Sequence, residues 1–286
     1  MPRPGGQSRQ ATDAVPAGLD RPVVQSLLFV GTWMALGWLL PRDPNLYLLA
    51  GVPLTLAFQV LVRGRPVRRL WVRHGPPFRL DAKGWAIAGA LALYPAYHLV
   101  RAPAAGQWST KVLLGCAVPG AVAAAYALRQ LRRGSVRVAL RWLALTAGVG
   151  ATVMVAISAP GFLTSSHPQP AEVLGTFARS ALVYFPLTFV IEEVSFRGAL
   201  DAHLYRPGQP RPWLSALLVS TLWGVWHLPI ADSRASLAAT VAQQIALSCV
   251  IGVPLSFAWR RTGSLAVPAL AHALTDAVRN ALTAPL

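Results

Sequence analysis

The stretch "FVIEEVSFRGAL", Phe189–Leu200, sets two adjacent carboxylates, Glu192 and Glu193, and one guanidinium, Arg197, at the end of a long apolar run. Acidic residues are scarce, with only 10 in 286. A carboxylate inside an apolar span costs several kcal/mol unless it is paired or faces a water-filled cavity, so charge clustered in this way points to function.

The rest of the chain has the composition of a membrane protein. Hydrophobic residues make up 54% and charged residues 13%, with a mean hydropathy of +0.47. A soluble domain carries about 25% charged residues. Windows of about 20 apolar residues, the length that crosses roughly 30 Å of hydrocarbon, fall near 24–40, 46–62, 85–101, 112–130, 138–159, 177–203, 213–229, 237–259 and 265–283. Continuous apolar runs predict helices, because barrel strands would alternate polar and apolar residues. The expected fold is therefore all-α, a polytopic transmembrane helix bundle of about eight or nine spans.

Residues 1–23 are rich in Pro, Gly and polar groups and read as a disordered tail. The first apolar run ends in "LLPRDPN" without a small-x-small cleavage signature and reads as a retained anchor. Residues 24–160 form an amino-terminal set of spans, and the clustered polar residues fall within 161–286.

A net charge of +16 raises the question of nucleic acid, but the arginines lie in short connections rather than on one soluble face. Membrane topology accounts for them better. The loops "RGRPVRRLWVRHGPPFRLDAKG" (63–84), "RQLRRGSVR" (129–137) and "WRRTGS" (259–264) are basic, whereas "PRDPN" and "ADSRAS" each balance one Arg with one Asp. The positive-inside rule puts the basic loops in the cytoplasm. Nine crossings then alternate consistently, which predicts a multi-pass protein of the cell membrane with a cytoplasmic amino terminus.

Cys116 and Cys249 lie in apolar segments and read as small hydrophobes. His74, His98, His167 and His203 lack an acidic partner at helical spacing and also receive no role.

Three pairs at i,i+4 spacing remain. Glu193 and Arg197 share one helix face and can neutralise each other. On a 3.6-residue helix Glu192 is rotated by about 100° from Glu193, so Arg197 cannot serve both acids and Glu192 stays available for chemistry. "WGVWH" places Trp223 and His227 on one face of the next span, and "HALTD" does the same for His272 and Asp276 in the last. Counted from the cytoplasmic ends, Glu192, His227 and His272 sit roughly 18, 21 and 11 Å deep. They can meet in one cavity if the last helix is tilted or starts deeper.

The ordered series EExxxR, aromatic-xxx-His, HxxxN/D resembles the CPBP family, the membrane-embedded type II CAAX prenyl proteases and their bacterial relatives. The resemblance spans about residues 177–283, and "GSLAVPALAHALTD" is similar to the family's last motif beyond its two key positions. It implies a cavity built by the carboxy-terminal helices, with Glu192 as general base activating water together with His227. Glu193 and Arg197 would support the site, and His272 and Asp276 would stand where the family stabilises the oxyanion. Trp223 occupies a position usually held by Phe and keeps an aromatic wall. Asp276 departs from the Asn of the eukaryotic branch, and an ionised Asp cannot donate to an oxyanion, so its expected part is to orient His272 as the donor.

The resemblance implies a metal-free, glutamate-type endopeptidase acting on a peptide or membrane protein in the lipid bilayer. Two other readings of the same residues stay open. Glu192, His227 and His272 make a two-histidine, one-carboxylate set of the kind that holds catalytic zinc, although no HExxH helix is present. A non-catalytic scaffold or transporter would use the buried ion pair for folding or proton coupling.

Overall fold

The computed structural model describes residues 21–40, 43–101, 108–131, 133–164, 169–231 and 235–283. The helices in chain order are α1 (Arg21–Leu39), α2 (Pro44–Ala57), α3 (Arg68–Trp71), α4 (Ala82–Arg101), α5 (Trp108–Arg129), α6 (Arg133–Thr164), α7 (Pro170–Thr188), α8 (Ala202–Leu204), α9 (Pro212–Trp226), α10 (Leu237–Thr262) and α11 (Ala266–Thr283). Among the described residues there is no strand, only an isolated bridge between Val72 and Ser264. The protein is an all-α bundle.

Each of the nine expected spans coincides with a long helix. Among the described residues, seven helical runs are long and apolar enough to cross a membrane. The other two are α4, which carries Lys83, His98 and Arg101, and α11, which carries His272, Asp276, Arg279 and Asn280. α11 packs against α6 and α7 with most of its side chains buried, His272 and Asp276 among them, so these two groups face protein.

The expected tail lies mostly outside the described residues, as do His167 and the charges of "ADSRAS". Its last three residues correct the boundary, because Arg21, Pro22 and Val23 open α1. Proline is accommodated there, since the N–H it lacks has no partner in the first helical turn. The winding also departs from expectation. α7 does not continue as an α-helix through the motif but becomes a π-helix over Phe189–Asp201. The i→i+5 winding widens the turn, and such segments frequently occur at functional sites.

The basic connections form one face. Leu265 donates its backbone N–H to Trp71 O at 2.9 Å, and Arg73 donates to Gly263 O at 3.0 Å. Ser264 Oγ donates to Ala127 O at 2.8 Å, and Tyr126 Oη to Pro76 O at 2.6 Å. Gly263 makes the sharp turn from α10 into α11 at φ 66°, a left-handed conformation that suits glycine at a helix C-terminus.

The same face closes over the end of the π segment. Arg63 donates to Gly198 O at 2.9 Å and to Ala202 O at 3.0 Å. A side chain at Gly198 would run into the carbonyl of Leu70, so glycine permits that close approach. Asp201 is fully buried and accepts from Arg260 Nε at 2.9 Å, while Arg260 Nη2 donates to Ser215 Oγ at 3.0 Å. Arg260→Leu leaves Asp201 without its cation, and loss of one partner of a buried pair costs about 3–5 kcal/mol. A lower melting temperature in detergent is expected, with partial recovery in Asp201→Asn/Arg260→Leu. Unchanged melting of the single variant would show that this pair does not hold the face together.

Candidate active site

The π segment carries Glu192 and Glu193 toward the ends of two other helices. Glu193 and Arg197 are both fully buried, and Arg197 Nη1 donates to Glu193 Oε1 at 2.9 Å. The i,i+4 pairing read from the sequence is present in the π winding. His272, from α11, brings Nδ1 to 2.9 Å from that same Glu193 oxygen. One carboxylate oxygen thus serves a cation on its own helix and a histidine on another.

Arg197 is held from two further sides. Its Nη2 lies 3.5 Å from Gly252 O of α10, and its Cζ lies 4.6 Å from the centre of the Trp223 ring. Guanidinium over an indole face is a favourable cation–π contact. Gly224, next to Trp223, lets α9 approach the α10 backbone at Gln244 and Ile245, where a side chain would collide.

Glu192 has a different environment. Trp223 Nε1 donates to its Oε2 at 2.9 Å, so the indole supplies a hydrogen bond as well as a wall. His227 is the C-cap of α9, and its Nδ1 lies 2.8 Å from Trp223 O. A carbonyl oxygen only accepts, so Nδ1 is assigned the proton, and in the neutral ring Nε2 bears the lone pair. Trp223 therefore links the acid and the histidine, one through its side chain and the other through its backbone.

His272 Nε2 lies 4.0 Å from Glu192 Oε2 and 3.7 Å from Asp276 Oδ2. Asp276 Oδ1 in turn receives Arg279 Nη1 at 3.0 Å. Glu192, Trp223, His227, His272 and Asp276 line one cavity of about 400 Å³. Glu193 and Arg197 stand behind it. The convergence of His272 with Glu192 and His227 is thus present, with α11 beginning just after the buried Ser264–Leu265 turn.

Several contributors escaped the sequence reading. Arg279 lies three residues after Asp276, a spacing that would have suggested the pair. Met154 and Leu48 bring α6 and α2 into the cavity wall, and Tyr47 donates its hydroxyl to Trp226 O at 2.7 Å behind it. No short-range spacing announces these, because they are distant in sequence. Among the described residues, no group of three or more His, Cys, Asp or Glu side chains is arranged to hold a metal ion.

Residues 174–278 match the family model described as type II CAAX prenyl endopeptidase Rce1-like. Over that segment the chain is similar to the CAAX prenyl endopeptidases. The matched segment carries the two glutamates, Arg197, Trp223, His227, His272 and Asp276 together. Neither a curated protein nor a solved structure matches the chain. The family so described is one of endopeptidases, and among the described residues of this chain seven helical runs are long and apolar enough to cross a membrane.

The two glutamates have unequal surroundings, so their substitutions should differ. Glu193→Gln removes the anion that Arg197 and His272 share, and stranding one partner of a buried pair costs about 3–5 kcal/mol. The expected result is a lower melting temperature and lower yield. Glu192 is partly exposed to the cavity, with 17% side-chain accessibility. Glu192→Gln should therefore melt near the wild type. Equal melting of the two variants would contradict this division.

Proposed function

We propose that the protein is an intramembrane endopeptidase in which Glu192 and His227 activate a water molecule against a peptide bond of a membrane-associated or secreted substrate. The observation that carries this reading is the Glu192 carboxylate on the cavity wall, bonded through one oxygen to Trp223, with His227 lining the same cavity. Glu192 takes a proton from water while the hydroxide adds to the carbonyl carbon, and the carbonyl π pair moves onto oxygen. His272 supplies the donor for that oxyanion, and Asp276, tied to Arg279, orients it. Collapse of the intermediate breaks the C–N bond, and the departing nitrogen receives the proton. The products are a carboxylate and an amine. A positioned base and a preorganised donor are the two largest aids such a reaction can use.

His227 Nδ1 is engaged by a backbone carbonyl and His272 Nδ1 by Glu193, which fixes both rings and leaves the Nε2 atoms for proton transfer and hydrogen bonding in the proposed reaction.

On an identified substrate, Glu192→Gln should lower the rate by about 10²–10⁴ without disturbing insertion, the usual loss when a general base is removed. His227→Ala should behave similarly. Near-wild-type cleavage by Glu192→Gln would sink the mechanism. Candidate substrates can be found by comparing membranes bearing wild type and Glu192→Gln for peptides that stay uncut.

Zinc content provides a separate check. Purified protein is expected to hold far less than one zinc per chain and to keep its activity in a strong chelator. Stoichiometric zinc that leaves and returns together with activity would replace the glutamate mechanism with a metal-dependent one.

A further inference from the structure

A second cavity lies behind the site, on the other side of the π segment. It encloses about 390 Å³ between Val52 and Leu56 of α2, Cys116 and Ala123 of α5, and Val190 and Val194 of the π segment. Val190 and Val194 bracket the two glutamates in sequence, yet they line this cavity and not the one that Glu192 lines. The single hydroxyl in its wall, Thr55 Oγ1, lies 2.7 Å from Ser195 Oγ and is thereby satisfied. An apolar space of this kind stays dry, so a ligand suited to it is itself apolar.

The cavity is a slot that follows the helices. Cys116 and Ala123 are seven residues apart, about 10 Å along α5 at 1.5 Å per residue. Val52 and Val190 pack at depth against the buried cluster of Ala117, Leu187 and Ile191. Leu70 and Trp71 of α3, within the basic connection, form the shallow end. An indole at that level is typical of the headgroup zone of a bilayer. The wall residues Leu56 and Pro119 are exposed, and among helices long and apolar enough to cross a membrane such residues border acyl chains.

The charges beside the slot are laid out to match. From Arg63 to Leu80 the connection contains no acidic residue. Arg63 is occupied by the carbonyls of Gly198 and Ala202, and Arg73 by that of Arg260. Arg65, Arg68 and Arg69 make no ion pair or side-chain hydrogen bond among the described residues, and Nε of Arg68 is buried without a partner. Buried donors are ordinarily matched by acceptors. Three unpaired cations next to an apolar slot suit an anion that carries a hydrocarbon chain.

We infer that this slot binds an anionic phospholipid, with one acyl chain along α5 against Val190 and Val194 and the phosphate at Arg65, Arg68 and Arg69. Basic segments at a membrane surface attract anionic headgroups in general, and the slot turns that attraction into a defined site. The bound chain backs the segment that carries both glutamates. The site does not depend on the proposed proteolysis, and no cleavage enters its test.

The test uses full-length protein in phosphatidylcholine nanodiscs doped with a phosphatidylglycerol that carries a diazirine in one acyl chain, with crosslinked peptides identified by mass spectrometry. Crosslinks are expected to concentrate at 52–56 and 116–123 over the exposed Leu140, Leu145 and Ile157 of α6. Unlabelled phosphatidylglycerol should displace them roughly tenfold more effectively than added phosphatidylcholine, and inorganic phosphate should not displace them. Ala123→Phe fills the slot and should lose the crosslinks. Arg68→Gln/Arg69→Gln should erase the preference for phosphatidylglycerol, and because it changes a short surface helix it reports on the site even where Ala123→Phe fails to fold. Crosslinks no denser than on α6, equal displacement by the two lipids, or displacement by phosphate overturns the proposal. So does a folded Ala123→Phe protein that crosslinks as the wild type does, or an arginine variant whose preference is unchanged.

Discussion

The site depends on a single carboxylate oxygen. Oε1 of Glu193 accepts from Arg197 and meets His272, all three side chains lying at or below 5% exposure. Arg197 also reaches Gly252 and covers the Trp223 ring. One buried ion pair therefore registers the π segment against α9, α10 and α11. Such a pair adds little net stability, because desolvation offsets much of its attraction, but it is costly to break. Its main effect is to fix how the surrounding helices sit relative to one another.

That fixed register separates the work of the two adjacent acids. Glu193 is consumed by structure, and its neighbour faces the cavity with the indole of Trp223. The π winding contributes to the same outcome. A wider turn spreads the side chains over more of the helix circumference, and the segment accommodates Gly198 against α3, the Glu193–Arg197 pair against α10 and α11, and Glu192 against the cavity.

Much of this was legible in the residues. Apolar window length located all nine long helices, and i,i+4 spacing found Glu193–Arg197 and His272–Asp276 because helical neighbours in sequence are neighbours in space. The same local logic was silent on longer range. Asp201 and Arg260 are 59 residues apart, and Tyr47 reaches Trp226 across 179. Neither spacing has a local signature. The π segment was unreadable for another reason: Phe189–Leu200 is buried almost all round, so it carries no one-sided periodicity from which winding can be judged. Trp223 was read as a wall because its ring is what an aromatic position shares with Phe, whereas its contribution to Glu192 lies in the N–H that Phe lacks.

That N–H has a stereochemical consequence. A free carboxylate offers two equivalent oxygens and can accept a proton from a wide arc of directions. With Oε2 taken by the indole at 2.9 Å, the two oxygens of Glu192 are no longer equivalent, and Oε1 becomes the better proton acceptor. In the proposed mechanism water would be activated on the side of the carboxylate turned away from the indole. The residue at position 223 thus bears on which carboxylate oxygen is left free as well as on the shape of the wall, a difference between indole and phenyl that lies in a single N–H.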